Sequence, residues 1–150
     1  MITNETQFQA ELEHVVAEAG RLAKLVLGQE LAVDTACFFS SSPEEYTLLL
    51  KKVIAAGPVS EFSHGVTTYV NVDMQVAGQH LGLLGVRQPD VIRQERGYGD
   101  YSVDFFDILL GQIDKNPYAQ PITSGRGKTL IELKHPDFDV RGYVVNAHDQ

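Results

Sequence analysis

A chain of 150 residues, 43% hydrophobic and 21% charged, is long enough to bury one core and too short for two ordinary domains. No run approaches the roughly 20 apolar residues that cross a bilayer, and a formal net charge of −8 without a lysine or arginine stripe argues against a nucleic-acid partner. The opening Met1-Ile2-Thr3-Asn4-Glu5 lacks the basic and apolar regions of a secretory signal, and Cys37, the single cysteine, has nothing to pair with, so a cytoplasmic setting is expected.

Phe8, Leu12, Val15, Val16, Ala19, Leu22, Ala23 and Val26 recur at spacings of three and four, which predicts one apolar helix face ended by Gly28. Leu31 to Phe39 is short, apolar and rich in residues that fit a pleated sheet, and reads as a buried strand. Ser42 is a cap for the next helix, Pro43 suits its first position, and Glu45 completes a capping box. Tyr46, Leu49, Leu50, Val53 and Ile54 form its inner face, and Gly57-Pro58 closes it, the glycine through a left-handed turn.

The period then changes to two. Val66, Thr68, Val70 and Val72 alternate with Thr67, Tyr69, Asn71 and Asp73, and His80 to Val86 can return antiparallel after the turn at Gly78, giving a β-hairpin. Arg87 to Gly99, with Pro89, Gly97 and Gly99, reads as an exposed connection between half-domains. Tyr101, Val103 and Phe105 then alternate as a strand, Phe106 to Ile113 forms a short helix, Thr129 to Leu133 forms another strand, and Tyr143 to Val145 a last strand or packed tail. The expected class is therefore α+β, a single domain of an N-terminal helix (1–28), a first unit (29–88), a connection (89–99) and a second, shorter unit (100–150).

Ser124-Gly125-Arg126-Gly127-Lys128-Thr129 shares letters with the end of a phosphate-binding loop. Ile122 replaces its first glycine and a strand pattern replaces its helix, so a plain turn is expected. Cys37, between Ala36 and Phe38, reads as a small core residue. His14 and His148 read as solvent-facing. His64, His80 and His135 belong to no His-x-His or His-Glu-x-x-His pair, so any metal site must be assembled from separate strands, where Asp100 and Glu132 supply acids. Arg87, Arg93 and Arg96 lie among Asp90 and Glu95 as a mixed-charge loop, with recognition of a small anion as its functional alternative.

The order strand, helix, strands, followed by a second unit, resembles the vicinal-oxygen-chelate superfamily of glyoxalase-like and dioxygenase-like proteins. In wording the likeness is to its YecM-like branch, through Val33-Asp34-Thr35-Ala36, Gln79-His80-Leu81, Arg96-Gly97-Tyr98-Gly99-Asp100-Tyr101 and Gly127-Lys128-Thr129-Leu130-Ile131-Glu132-Leu133, over roughly residues 25 to 138. The resemblance implies a curved, mainly antiparallel sheet of two βαβββ-like units, and a cup in which His80, Asp100 and Glu132 hold a divalent metal (Zn, Mn or Mg) that polarises substrate oxygens. Arg87 and Arg96 would then contact substrate. The chain departs from the superfamily pattern at Asp34-Thr35, where an Asp-His pair is expected, and at Asp100, where a histidine is expected.

Two functions are therefore open: a metal-dependent lyase, isomerase or dioxygenase-like enzyme acting on a small oxygenated metabolite, or a non-catalytic small-molecule-binding or interaction protein without the metal. A homodimer is expected in either case, because such sheets often pack across a two-fold axis.

Overall fold

The computed structural model describes Ile2 and residues 4–149. Helix α1 (Glu5–Leu27) starts at Asn4, whose side chain accepts the backbone N–H of Gln7, and stops at Gly28, where φ is 74°. Its predicted face is its buried one, save that Val26 is half-buried. Strand β1 (Thr35–Phe39) follows. It is shorter than the apolar run predicts, because Leu31 and Val33 are buried without joining the ladder.

Helix α2 (Pro43–Ala56) is capped by Ser42, whose hydroxyl accepts the Glu45 N–H at 3.1 Å. The capping box is modified: the Glu45 carboxylate accepts the N–H groups of Ser41 and Ile2, and so fastens the chain start beside α2. Leu49 and Val53 are buried, whereas Ile54 is exposed. Gly57 corrects the expected left-handed turn. Its backbone is extended (φ 176°), and glycine is required there because a Cβ would collide with the Asn71 carbonyl.

Strands β2 (Thr67–Val76) and β3 (Gln79–Arg87) form the expected hairpin. Ala77 and Gly78 both have positive φ, as a two-residue primed turn requires. Strand β4 (Gly97–Val103) begins earlier than expected, so Gly97 and Gly99 belong to the sheet and not to the connection. The reason is close packing: a Cβ on Gly99 would lie 2.7 Å from that of Ala19 in α1. Helix α3 (Phe106–Gln112) precedes β5 (Ala119–Thr123), a strand that sequence periodicity did not signal. Strand β6 (Thr129–Leu133) and β7 (Val140–Asn146) complete the chain's sheet.

All seven strands form one open mixed sheet in the order β2-β3-β1-β4-β7-β6-β5. Each unit joins its first strand in parallel to its last, β1 to β3 and β4 to β7, and the two first strands meet antiparallel at the centre. The first unit has β1, α2, β2 and β3, plus a single bridge between Val59 and Val70 where a further strand would lie. The second has the full βαβββ set, so the unit expected to be the lesser is the more complete, and β7 is a central strand, not a tail.

The helices cover one face. Leu12, Val15, Val16, Ala19 and Leu22 of α1 pack with Phe38, Leu84, Ile131 and Val144 of the sheet in a single core, and the Tyr101 hydroxyl donates to the Ala19 carbonyl. The opposite face is concave. Strands β2 and β5 are the two edges of the sheet, yet Arg126, in the β5–β6 turn, donates to the carbonyl of Phe62, just before β2, at 2.9 Å.

Candidate functional site

Strand alternation sets what lines this concavity. With Gly97, Gly99 and Tyr101 turned to α1, the intervening Tyr98, Asp100 and Ser102 of β4 face the other way. Register carries that face across the sheet: Leu83 stands beside Thr35, Thr35 opposite Asp100, Asp100 beside Tyr143, and Tyr143 opposite Glu132. The resulting cavity measures about 220 Å³ and is bounded by residues of both units, among them Thr35, Tyr69, Leu83, Asp100, Ser102, Leu130 and Val145. His64, Arg126, Lys128 and Asp149 stand at its mouth.

Its inner end is a buried polar cluster. The Tyr69 and Tyr98 hydroxyls are hydrogen-bonded to each other, and burial pushes both phenols well above their ordinary range. Cys37 lies opposite Tyr98, fully buried, with its thiol pushed up to about 12 by burial. Burial first, and the charge of Asp34 second, push the Asp100 carboxyl well above the ordinary carboxylate range. The shift favours the protonated form, which can donate as well as accept. Among the described residues no hydrogen bond reaches its carboxyl oxygens. Asp34 is engaged: it accepts from the Thr35 hydroxyl and from the Ser102 N–H, both at 3.1 Å.

Beyond the two tyrosines the concavity is filled by side chains. Arg141 is held by Glu95 and lies 3.7 Å from Glu132, and its guanidinium and that of Arg93 both approach the Phe39 ring. Tyr143 packs edge-on against Tyr98 and donates to Glu132 at 3.1 Å.

The five residues expected at a site are separated. Asp100 lies in the cavity. Glu132 shares its face, but is taken up by Tyr143, Gln120 and Arg141. His80 stands near the β2–β3 turn, largely exposed and paired with Asp73. Arg87 faces the filled end, 3.7 Å from Asp90, with its Nε buried and unbonded. Arg96 lies on the helix side, bound to Glu11 and Asp139. That placement has a simple cause: residue 96 precedes the strand, and its side chain bridges α1 to the β6–β7 connection. His14, expected in solvent, also joins Asp139, at 2.7 Å.

A divalent metal does not fit His80, Asp100 and Glu132 as one ligand set. The imidazole is on the outside, paired with Asp73, and the Glu132 carboxylate is hydrogen-bonded by Tyr143 and Gln120 and lies 3.7 Å from Arg141. Among the described residues no three of His, Cys, Asp and Glu cluster as metal ligands, and none of the helices is long and apolar enough to cross a membrane.

The cavity residues that sequence reading missed as a group are Thr35, Tyr69, His64, Arg126 and Lys128. The glycine-flanked Arg126 and Lys128 were visible as a turn, as the structure has them. Nothing local shows that this turn arches over the cavity.

The fold is thus an open, curled α+β sheet of two repeated units, with helices on one side and a ligand-sized cup on the other. It is similar to that of the structural-genomics protein EC4020, over 99% of this chain and 96% of that one, with a TM-score of 0.62 and 11% identity. Also similar are a glyoxalase/bleomycin resistance protein/dioxygenase superfamily member from Vibrio splendidus (77% and 99% covered, TM-score 0.46, 7% identity) and a variant of Streptomyces coelicolor methylmalonyl-CoA epimerase in complex with 2-nitronate-propionyl-CoA (79% and 97% covered, TM-score 0.48, 14% identity). These two are vicinal-oxygen-chelate proteins, the superfamily that the sequence resembles. The likeness is one of fold. No protein-family model and no curated protein matches the chain.

Proposed function

We propose that this chain is a glyoxalase/dioxygenase-like domain that binds a small oxygenated metabolite in its cup without help from a chelated metal. The observation that carries this reading is the Asp100 carboxyl, which reaches a cavity of about 220 Å³ and has no hydrogen-bond partner among the described residues. The residue is half-buried, and a carboxyl withdrawn in part from water is a natural point of attachment for whatever occupies the cavity. A ligand carbonyl or hydroxyl group at that point supplies a partner, and the protonated form, which the upward shift favours, donates to it.

Catalysis is a separate matter. A carboxyl held above its ordinary range suits proton transfer, but binding alone accounts for the arrangement, and binding is the function the geometry supports best. The test is a thermal-shift and NMR titration against a panel of small hydroxy and oxo acids and their neutral counterparts. Saturable binding by the wild-type chain, weakened at least tenfold in a folded Asp100→Ala variant, is the expected result. Absence of saturable binding across the panel, or binding indifferent to Asp100→Ala, overturns the reading.

A further inference from the structure

The cup is graded from its floor to its mouth, and this grading specifies the class of ligand. We infer that the cup takes a small amphiphilic anion, with an oxygen function at one end, a short apolar middle, and an anionic group at the other end. The inference rests on the reading of Asp100 as the point of ligand attachment and adds what the rest of the molecule must look like.

Strand register defines three levels. The floor is the row through Thr35 and Asp100, closed below by Tyr69 and Tyr98. One pleat outward, about 6–7 Å along the strands, Ser102 aligns with Val145, and Leu130 follows in register beside Val145. Leu83, beside Thr35 in the floor row, and Phe62 add further apolar surface to the wall. Just before β6, two residues from Leu130, comes Lys128, with Arg126 in the same turn. An oxygen donor or acceptor is matched at the floor and hydrocarbon at the middle level, where Ser102 is the polar exception.

The mouth supplies the charge. Arg126 and Lys128 are two of only 12 basic residues in a chain of net charge −8, and among the described residues neither has a salt bridge. Among the described residues, Asp149 is the one acid beside them at the mouth. Arg126 is held in place rather than loose: it donates to the Phe62 carbonyl at 2.9 Å and its guanidinium lies 5.6 Å from the Phe62 ring centre. One guanidinium nitrogen is thereby fixed, and the remaining N–H groups are available to an anion. Two cations next to an apolar passage favour an anion whose charged end stays at the opening while its hydrocarbon enters.

The test uses the whole chain and four probes in isothermal titration: 6-hydroxyhexanoate, hexanoate, 1,6-hexanediol and glycolate. The hydroxy acid is expected to bind tightest, hexanoate to lose the floor contribution, the diol to lose the mouth contribution, and glycolate to bind weakest for want of a middle. Lys128→Gln, and separately the double variant Arg126→Gln, Lys128→Gln, should lower affinity for the hydroxy acid by about tenfold or more and leave the diol unchanged. Added salt should weaken the hydroxy acid and not the diol. A diol as tight as the hydroxy acid, or carboxylate binding unaffected by the mouth variants, refutes the anionic class while leaving a neutral-ligand cup intact. If neither these probes nor any other small oxygenated compound binds, the cup reading itself fails, and this inference with it.

Discussion

Thr35 of β1 stands directly across the ladder from Asp100 of β4. The pair lies where the first strands of the two units meet antiparallel, at the middle of the sheet and at the floor of the cup. The superfamily resemblance places an imidazole at each position; here one is a hydroxyl already given to Asp34 and the other a half-buried carboxyl held above its ordinary range. The floor is thus furnished for hydrogen bonding, and its chemistry depends on whether Asp100 keeps its proton.

That dependence can be read from stability. A carboxyl whose pKa is higher folded than unfolded binds more protons in the folded state. Its stabilising contribution is therefore complete at low pH and is lost as pH rises above the unfolded value near 4. Asp100→Asn, which stays neutral, should raise the melting temperature at pH 7 to 8 by a few degrees, at about 2–4 °C for each kcal/mol in a chain of this length. It should do little at pH 4. Differential scanning calorimetry from pH 4 to 8 measures the difference, and an unchanged pH dependence in the variant would rule out a raised Asp100.

Cys37 should be inert while the chain is folded. Its side chain is fully buried and its thiol is pushed up to about 12, so almost no thiolate exists at pH 8. A thiol reagent such as dithionitrobenzoate should report less than a tenth of one equivalent in native buffer within minutes and one full equivalent in denaturant. Rapid native labelling would show that the β1 environment opens.

Arg141 and Glu95 form a largely enclosed ion pair at the filled end of the sheet, with side chains 8% and 14% exposed. Removing one partner of such a pair strands the other, at a cost of about 3–5 kcal/mol. Urea unfolding should find Arg141→Ala destabilised by about 3 kcal/mol. The double replacement Arg141→Met, Glu95→Leu should recover most of that loss, because neither member of the pair is left without the other, and Glu132 keeps its hydrogen bonds from Tyr143 and Gln120. Equal stability of the single variant and the wild type would mean the pair is solvated.

Two glycines of β4 lie under α1. A Cβ on Gly99 would come 2.7 Å from Ala19 and 3.1 Å from Val33, and one on Gly97 would strike the Cys37 carbonyl. Gly99→Ala should therefore cost about 1–3 kcal/mol through overpacking. Gly125→Ala in the β5–β6 turn, where nothing lies within 4 Å, should be close to neutral by the same denaturation assay.

The sequence alone determined the local elements, because caps and periodicity act over a few residues. Gly28 ends α1, Ser42 starts α2, alternation through Thr67 to Asp73 marks β2, and the doubled order of elements matches the two repeated units that the sheet contains. It could not show β5, whose Ala119-Gln120-Pro121 has weak strand character and which pairs only with β6 at an edge. Nor could it show Gly97 and Gly99 as strand residues, since their requirement is the approach of a helix some 80 positions earlier.

The site was decided by tertiary structure for the same reason. Asp100, a site residue on the sequence reading, is in the cup, but His80 is carried outward with the β2–β3 turn and Arg96 is drawn to the helix side by Glu11 and Asp139. Arg126 and Lys128 enter the mouth only because the sheet curls until its two ends touch. Curvature, register and the charge state of a buried acid are sums over distant contacts, and no short stretch of sequence carries them.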